Sequence, residues 1–178
     1  AYFSGTKYEW LLREGDVDPR ARLGTIDSWL VFKLTGEHVT DYSNAARTLL
    51  FDIRRCRWDE ELCELLHVPV GSLPAARPSA QLYGVTTVLG GSVSVCGIAG
   101  DQQAALFAQA CHQQGTAKNT YGTGNFLLQS AGTGSPVLER APSSATVSYV
   151  FPSSISARCD FVARPTRISS SPVANGSS

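Results

Sequence analysis

The amino-acid sequence predicts an α/β fold from three local patterns. An apolar, β-branched run at residues 92–99 ends in Gly100 and Asp101, and an alanine-rich segment with helical periodicity follows it at residues 102–111. Further helical patterns precede this strand, turn and helix, and a hairpin pattern follows them. Strands that alternate with helices are typical of α/β domains.

The composition is that of a globular protein without a strong net charge. The chain has 178 residues, with 15 Lys and Arg against 15 Asp and Glu, and 43% of its residues are hydrophobic. This balance argues against binding to nucleic acid or to a membrane surface through net charge. No apolar window reaches the roughly 18 residues that a membrane-spanning helix needs. Because the sequence begins with Ala and contains no Met, we expect it to be a fragment.

The first quarter of the chain predicts two helices and a strand. Residues 2–13 carry an aromatic and apolar face among polar side chains, as an amphipathic helix requires, and the charged residues 13–20 contain the Gly and Pro of a loop. Residues 25–34 repeat apolar side chains at helical spacing and predict a second helix. Residues 38–40 then favour a short strand.

The next stretch predicts a strand, a helix and a long loop. Residues 47–53 favour a strand that is buried over much of its surface. A helix should begin at Asp59, because an acidic first turn complements the positive end of a helix, and it should end before Pro69. Residues 68–83 contain several Pro and Gly residues, so we expect mostly loop there.

The last quarter of the chain has a different character. Residues 133–178 are rich in Ser and Pro, and no helical or alternating pattern persists there, which is typical of a disordered segment. Residues 147–151 favour one strand. We therefore divide the chain into a domain at residues 1–132 and a tail at residues 133–178.

The cysteines and histidines do not predict a metal site or a disulfide framework. The five Cys residues are odd in number and form no C-x-x-C pair, and the three His residues are scattered along the chain. Reduced thiols fit a cytoplasmic protein.

Asp101 is the first candidate for chemistry. It lies where a predicted strand gives way to a helix, and ligands of open α/β sheets bind at the carboxyl ends of strands. A carboxylate placed there can accept a proton from a hydroxyl or hold a metal-bound phosphate. The alternative is a purely structural helix cap, for which Asp is a preferred residue. Gln102 and Gln103 add two hydrogen-bonding side chains in the first helical turn.

A predicted hairpin provides the second candidate. Residues 117–121 and 125–129 favour two strands, and Gly122, Thr123 and Gly124 form the turn between them. The glycines free the backbone to approach a phosphate, and the Thr hydroxyl can hydrogen-bond its oxygens. A hairpin turn requires glycine in any case, and neither of the two common nucleotide-binding glycine motifs is present.

Residues 41–44 (DYSN) provide the third candidate. Asp41, Tyr42 and Asn44 offer a carboxylate, a phenol and an amide, which are the partners that a polyol needs. Asp and Asn are also common turn formers, so a structural role is the alternative. Arg47 nearby would either bind phosphate or pair with an aspartate.

Four segments in the same order and spacing resemble a known family. The segments are residues 24–30 (GTIDSWL), 39–45 (VTDYSNA), 97–107 (GIAGDQQAALF) and 117–124 (AKNTYGTG). Together they resemble the glycerol kinases, which belong to the FGGY carbohydrate kinases. The resemblance implies an incomplete ribonuclease H-like domain of the actin-like ATPase class, which in that family is one of two domains enclosing the active site.

The resemblance implies a role for each matching site residue. Asp101 matches the catalytic base, which contacts glycerol and takes the proton from its terminal hydroxyl. Tyr42 and Gln102 match residues that hydrogen-bond glycerol, and Phe126 matches an aromatic residue that packs on its carbon chain.

The resemblance also implies a nucleotide. Thr123, Gly122 and Gly124 match the hairpin that faces the phosphates of ATP, which the family uses with Mg²⁺. The implied protein is cytoplasmic and homo-oligomeric, and it converts glycerol and ATP to glycerol 3-phosphate and ADP.

Several family features are absent from this sequence. An earlier phosphate-binding hairpin with an acidic magnesium-site residue, an Arg-Glu pair, a Trp and the adenosine-binding domain are missing, and the resemblance stops near residue 133. We therefore expect negligible turnover from this chain alone. The alternatives are a kinase of another FGGY sugar and a non-catalytic binding module on the same scaffold.

Overall fold

The computed structural model describes residues 3–18, 20–122, 125–130, 146–148 and 159–163. Within these ranges helices and strands are mixed along the chain. The helices are α1 (Ser4–Glu14), α2 (Ile26–Thr35), α3 (Tyr42–Ala45), α4 (Glu60–Leu65) and α5 (Asp101–Ala108), with a 3₁₀ turn at Val70–Ser72. The strands are β1 (Val39–Asp41), β2 (Phe51–Asp52), β3 (Arg57–Trp58), β4 (Ala75–Arg77), β5 (Ala80–Thr86), β6 (Val93–Gly97), β7 (Ala117–Tyr121), β8 (Asn125–Ser130), β9 (Thr146–Ser148) and β10 (Cys159–Ala163).

The sequence locates about half of these elements, among them α1, α2, β1, β6, β7 and β8, to within two residues. Helix α2 begins after Thr25 and ends at Gly36, whose φ of 81° is the left-handed conformation that favours glycine at a helix end. Helix α4 begins after Asp59, whose carboxylate accepts a hydrogen bond of 3.0 Å from the backbone N–H of Leu62. Both helix ends have local chemical causes, which is why they can be predicted.

The predicted strand at residues 47–53 is wrong over most of its length. Only Phe51–Asp52 is a strand, and it pairs with β3 in an antiparallel ladder. The preceding residues turn instead, because the hydroxyl of Thr48 donates to the carbonyl of Ala45 and Leu49 has a φ of 69°. A side chain that bonds to its own backbone here favours a turn over a ladder.

The predicted loop at residues 68–83 is interrupted by two strands. It contains β4, which pairs in parallel with β1, and the start of β5, which pairs antiparallel with β6. The prolines lie at the ends of β4, where they displace no ladder hydrogen bond. Their carbonyls are used as acceptors, from the Trp58 indole N–H at 2.7 Å and from the Tyr83 hydroxyl.

Two apolar clusters hold the described elements together. The first joins α1, α4 and the neighbouring loops, and the second joins α2 to β1 and β5. The first contains Tyr8, Leu23, Leu50, Cys63, Val68 and Leu73, and the second contains Val31, Val39 and Tyr83. None of the described helices has the length and apolar character that crossing a membrane requires.

The hairpin of β7 and β8 extends into a larger sheet. Its four strands are ordered β7-β8-β10-β9, and every neighbouring pair is antiparallel. Strands β9 and β10 come from the predicted tail, so these two described segments of the tail are ordered strands. The predicted strand at residues 147–151 overlaps β9, and its last three residues lie outside the described ranges. The division at residue 132 stays a prediction.

Candidate active site

Asp101 is an exposed carboxylate at the start of α5. The cap of this helix is Gly100, which makes no side-chain cap bond, so Asp101 is the first helical residue rather than the cap. Its Oδ2 atom accepts a hydrogen bond of 3.3 Å from Nε2 of Gln102. Asp101 is therefore not the cap of this helix, and the residue is exposed.

Gln102 connects Asp101 to strand β7. Its Oε1 atom accepts a hydrogen bond of 2.6 Å from Nζ of Lys118, and the Thr120 hydroxyl lies 3.4 Å from the same oxygen. Lys118 also donates to the Thr120 hydroxyl at 2.6 Å. Hydrogen bonds thus connect the first turn of α5 to the face of the hairpin that carries Lys118 and Thr120.

The register of the hairpin places Phe126 on this same face. Thr120 lies directly opposite Phe126, and Lys118 lies opposite the fully buried Leu128. Directly opposed residues in an antiparallel pair project to the same side of the sheet. Phe126 is half-buried and shares a face with the Lys118 and Thr120 side chains that contact Gln102.

The turn that is predicted to face a nucleotide is described only in part. Gly122 is exposed at the end of β7, and nothing lies within 4 Å of the position that a Cβ atom would take there. Thr123 and Gly124, the other two predicted phosphate contacts, lie outside the described residues.

Asp41 is a buried carboxylate with a complete set of donors. Its side chain is 0% exposed. Oδ2 accepts from the Ser43 hydroxyl at 2.6 Å, the Ser79 hydroxyl at 2.5 Å and the Ser43 backbone N–H at 3.1 Å. Oδ1 accepts from the backbone N–H of Asn44 at 3.0 Å and from its side-chain amide at 2.7 Å. Burial raises the pKa of Asp41 above its ordinary value, and these hydrogen bonds limit the rise.

The Ser43 hydroxyl links this network to the candidate base. It donates to Asp41 and accepts a hydrogen bond of 2.8 Å from the backbone N–H of Gly100, the residue before Asp101. Tyr42 precedes Ser43 in α3 and is half-buried, with its ring 5.8 Å from that of Phe51. Burial raises the pKa of Tyr42, which keeps it a neutral phenol that can donate and accept hydrogen bonds.

The other residues that the sequence singles out contact neighbouring side chains of the fold. Asn44 donates to Asp41 through its backbone N–H and its side-chain amide, so it has a structural role at the start of α3. The Arg47 guanidinium lies 5.6 Å from the ring centroid of Phe3, a cation–π contact. Gln103 is fully buried directly beneath Gly100, where a Cβ atom would collide with its side-chain oxygen.

Sequence analysis missed Lys118, Thr120, Ser43 and Ser79. The period of two in a strand was an available signal for the first pair, since residues 118, 120 and 122 of a strand share one face. No local signal pointed to Ser79, because its partner Asp41 lies 38 residues away. Ser43 lies two residues from Asp41, within the candidate segment 41–44.

The described residues do not form a metal centre. Among them, no group of three or more His, Cys, Asp or Glu side chains is placed to hold an ion. Mg²⁺ in phosphoryl-transfer sites needs only one or two carboxylates, with waters and substrate phosphates completing its shell. Within the described part of the chain we therefore assign no residue to magnesium.

This α/β arrangement matches a known class of protein. The family model for the N-terminal domain of the FGGY family of carbohydrate kinases matches residues 1–108. The chain belongs to this family of carbohydrate kinases.

The similar curated proteins are glycerol kinases. The chain is 54% identical to the glycerol kinase of Symbiobacterium thermophilum over 142 residues and 52% identical to glycerol kinase 1 of Clostridium tetani over 142 residues. Each match covers 74% of this chain and 28% of the relative. The chain thus spans little more than a quarter of the length of these relatives.

Solved structures confirm the fold. The Plasmodium falciparum glycerol kinase with ADP superposes with a TM-score of 0.75 at 29% identity, covering 91% of this chain and 34% of that one. The ligand-bound xylulose kinase from Lactobacillus acidophilus gives a TM-score of 0.73 at 18% identity, covering 89% and 33%. The chain therefore has part of the fold of the actin-like ATPase class, as its sequence predicts.

Proposed function

We propose that this chain supplies the catalytic base and part of the polyol site of an ATP-dependent glycerol kinase. The observation that carries this proposal is the pairing of an exposed acceptor, Asp101, with the adjacent amide of Gln102, on a turn whose backbone is held by Ser43. The 54% identity to a glycerol kinase supports glycerol as the substrate.

In the proposed reaction, Asp101 accepts the proton of a terminal glycerol hydroxyl. That oxygen attacks the γ-phosphorus of ATP, the bond from the γ-phosphorus to the bridging oxygen breaks, and ADP leaves. Phosphoryl transfer asks the protein mainly to align the reactants and to stabilise charge, so a single well-placed base is sufficient proton chemistry. Mg²⁺ bound to the nucleotide neutralises phosphate charge in such reactions.

The other site residues would orient the polyol and the phosphates. Gln102 and Tyr42 would hydrogen-bond its hydroxyls, and the half-buried ring of Phe126 would pack on its carbon atoms. The turn that begins at Gly122 and includes Thr123 and Gly124 would approach the phosphates of ATP. Because α5 and the hairpin share the Lys118 contact, the polyol and phosphate portions would be held at a fixed separation.

The chain alone should not turn over. Phosphoryl transfer requires a closed site from which water is excluded, and Asp101 is exposed in this chain. Catalysis would need the additional length that the relatives have.

A chimera tests this proposal. Residues 1–132 of this chain replace the homologous segment of the Symbiobacterium thermophilum glycerol kinase, and ADP release is measured with glycerol, xylulose or no acceptor. We expect glycerol-dependent release in the chimera and none from the 178-residue chain alone. Release that depends on xylulose but not on glycerol would assign the segment to another sugar kinase. A folded chimera without activity towards either would favour a binding module.

A further inference from the structure

Lys118 is a buried lysine within the candidate site. Its side chain is 3% exposed, although lysine is almost never fully buried unless it is paired. Its ammonium group lies 2.6 Å from Oε1 of Gln102 and 2.6 Å from the hydroxyl oxygen of Thr120. The proposed function uses Asp101 and Gln102 but assigns no role to Lys118.

The chemistry of the ammonium group fixes which end of the Gln102 amide it meets. An ammonium has three donors and no acceptor, so it can be satisfied only by the amide oxygen. The Thr120 hydroxyl, 3.4 Å from the same oxygen, favours the same orientation. The amide nitrogen of Gln102 therefore faces the other way and lies 3.3 Å from Oδ2 of Asp101.

This orientation gives the site one donor beside one acceptor. The ionised carboxylate of Asp101 only accepts hydrogen bonds, and the amide nitrogen of Gln102 only donates them. A hydroxyl group both donates and accepts, so it can satisfy the two side chains at once. An ammonium group only donates, so it satisfies Asp101 but leaves the Gln102 nitrogen facing another donor.

We propose that Lys118 is a positioning residue that selects a hydroxyl over an amine at Asp101 by holding the Gln102 amide with its nitrogen towards the substrate. The inference deepens the proposed function and rests on it for the polyol. Without Lys118 the amide is able to rotate and present its oxygen, and two neighbouring acceptors suit an ammonium group better than a hydroxyl. If Lys118 had a merely structural role, its replacement would weaken the binding of hydroxyl and ammonium ligands equally.

The test compares two probes on the 178-residue chain. Dissociation constants of glycerol and of diprotonated 1,3-diamino-2-propanol, which carries an ammonium group at each end, are measured by NMR titration at neutral pH. In Lys118→Met, which keeps an unbranched side chain without the ammonium group, we expect the preference for glycerol over the amine to fall about tenfold. Lys7→Met, on an exposed lysine of α1, should leave the preference unchanged. An equal loss of both probes in Lys118→Met would overturn the inference.

A second variant removes the amide itself and, with it, one acceptor of the Lys118 ammonium. In Gln102→Ala the donor is removed, so glycerol should bind more weakly while the amine binds as well or better. If the amine loses affinity more than glycerol does, the oxygen of Gln102 faces the substrate and the inference is wrong. Gln102 is only half-buried, so this variant keeps the test decisive if Lys118→Met does not fold.

One readout does not depend on the polyol. The side-chain amide resonance of Gln102 in the ¹⁵N-labelled chain, assigned by its loss in Gln102→Ala, should shift in Lys118→Met and stay in place in Lys7→Met. An unchanged resonance in Lys118→Met would overturn the inference and leave the proposed function standing. A wild-type chain that binds neither probe would overturn a polyol site in this chain, and the amide shift would still decide the Lys118 contact.

Discussion

Asp41 and Asp101 are the same residue type in opposite surroundings. Asp41 is 0% exposed and accepts five hydrogen bonds from Ser43, Ser79 and Asn44. Asp101 is exposed and accepts from the neighbouring Gln102 at 3.3 Å. A carboxylate whose lone pairs are all occupied serves the fold, whereas one with unoccupied lone pairs at a surface is available for a substrate. Ser43 contacts both Asp41 and the backbone of Gly100, so the buried Asp41 helps to hold the turn that precedes Asp101.

The largest expected effect is a loss of activity when Asp101 is changed. In the chimera with the Symbiobacterium thermophilum glycerol kinase, Asp101→Asn should lower kcat by about 10²–10⁴-fold, because a general base contributes that much. The melting temperature should stay the same, since the side chain is exposed. An Asp101→Asn chimera with near-normal kcat would remove the proposed difference between the two residues.

The next effect separates them by stability. Asp41→Ala leaves the buried hydroxyls of Ser43 and Ser79 without their acceptor, so the free energy of unfolding should fall by about 3 kcal/mol. Asp101→Ala is the matched control and should cost less than about 1 kcal/mol, the value of a charge at a helix start. Urea unfolding of the 178-residue chain measures both. Similar losses in the two variants would contradict the comparison.

A smaller effect tests the connection between the two regions. Ser43→Ala removes one donor to Asp41 and the acceptor of the Gly100 N–H, and should cost about 1–2 kcal/mol. Hydrogen exchange at the Gly100 amide should accelerate, because that amide loses its buried partner. Ser94→Ala, on the exposed strand β6, is the control and should change neither quantity. If the Gly100 amide exchanges at its wild-type rate in Ser43→Ala, the two regions are not connected through this hydroxyl.

The smallest effect is a pH dependence. Because burial raises the pKa of Asp41 above its ordinary 3.8 in the folded chain, the folded state holds the proton more tightly than the unfolded state. The resulting stability is fully present below pH 3.8 and is lost as the pH rises through the higher folded pKa. The difference in unfolding free energy between wild type and Asp41→Asn should therefore decline as the pH rises from 3.8. A difference that grows with pH would mean that the hydrogen bonds outweigh burial.

The sequence predicts elements with local causes and misses those with distant ones. The capping carboxylate of Asp59 and the terminal Gly36 act within four residues, so the ends of α4 and α2 are visible in the sequence. The parallel pairing of β4 with β1 joins residues 36 apart in the chain, as in Val39 with Ala75, and short runs between prolines do not reveal it.

The residues of the candidate site also differ in whether the sequence reveals them. Asp101 and Gln102 follow from their place between a strand and a helix and from the family resemblance. The acceptors around Lys118 cannot be predicted from the sequence. Lysine in a strand normally indicates a solvated face, and its partner Gln102 lies 16 residues away. The buried role of Asp41 was likewise hidden, since Asp and Asn in a short polar run predict a turn whether or not it is buried.

The span of the serine contacts has a consequence for the order of folding. The hydrogen bond between Ser43 and Gly100 closes a loop of 57 residues, and that between Ser79 and Asp41 closes one of 38. A contact that closes a long loop costs more chain entropy than a local contact, so we predict that both hydrogen bonds form after the rate-limiting barrier. Interactions absent from the transition state act on the unfolding rate rather than on the folding rate. We therefore predict that the Ser43 hydroxyl slows the opening of the turn before Asp101 and has little influence on how fast that turn first forms.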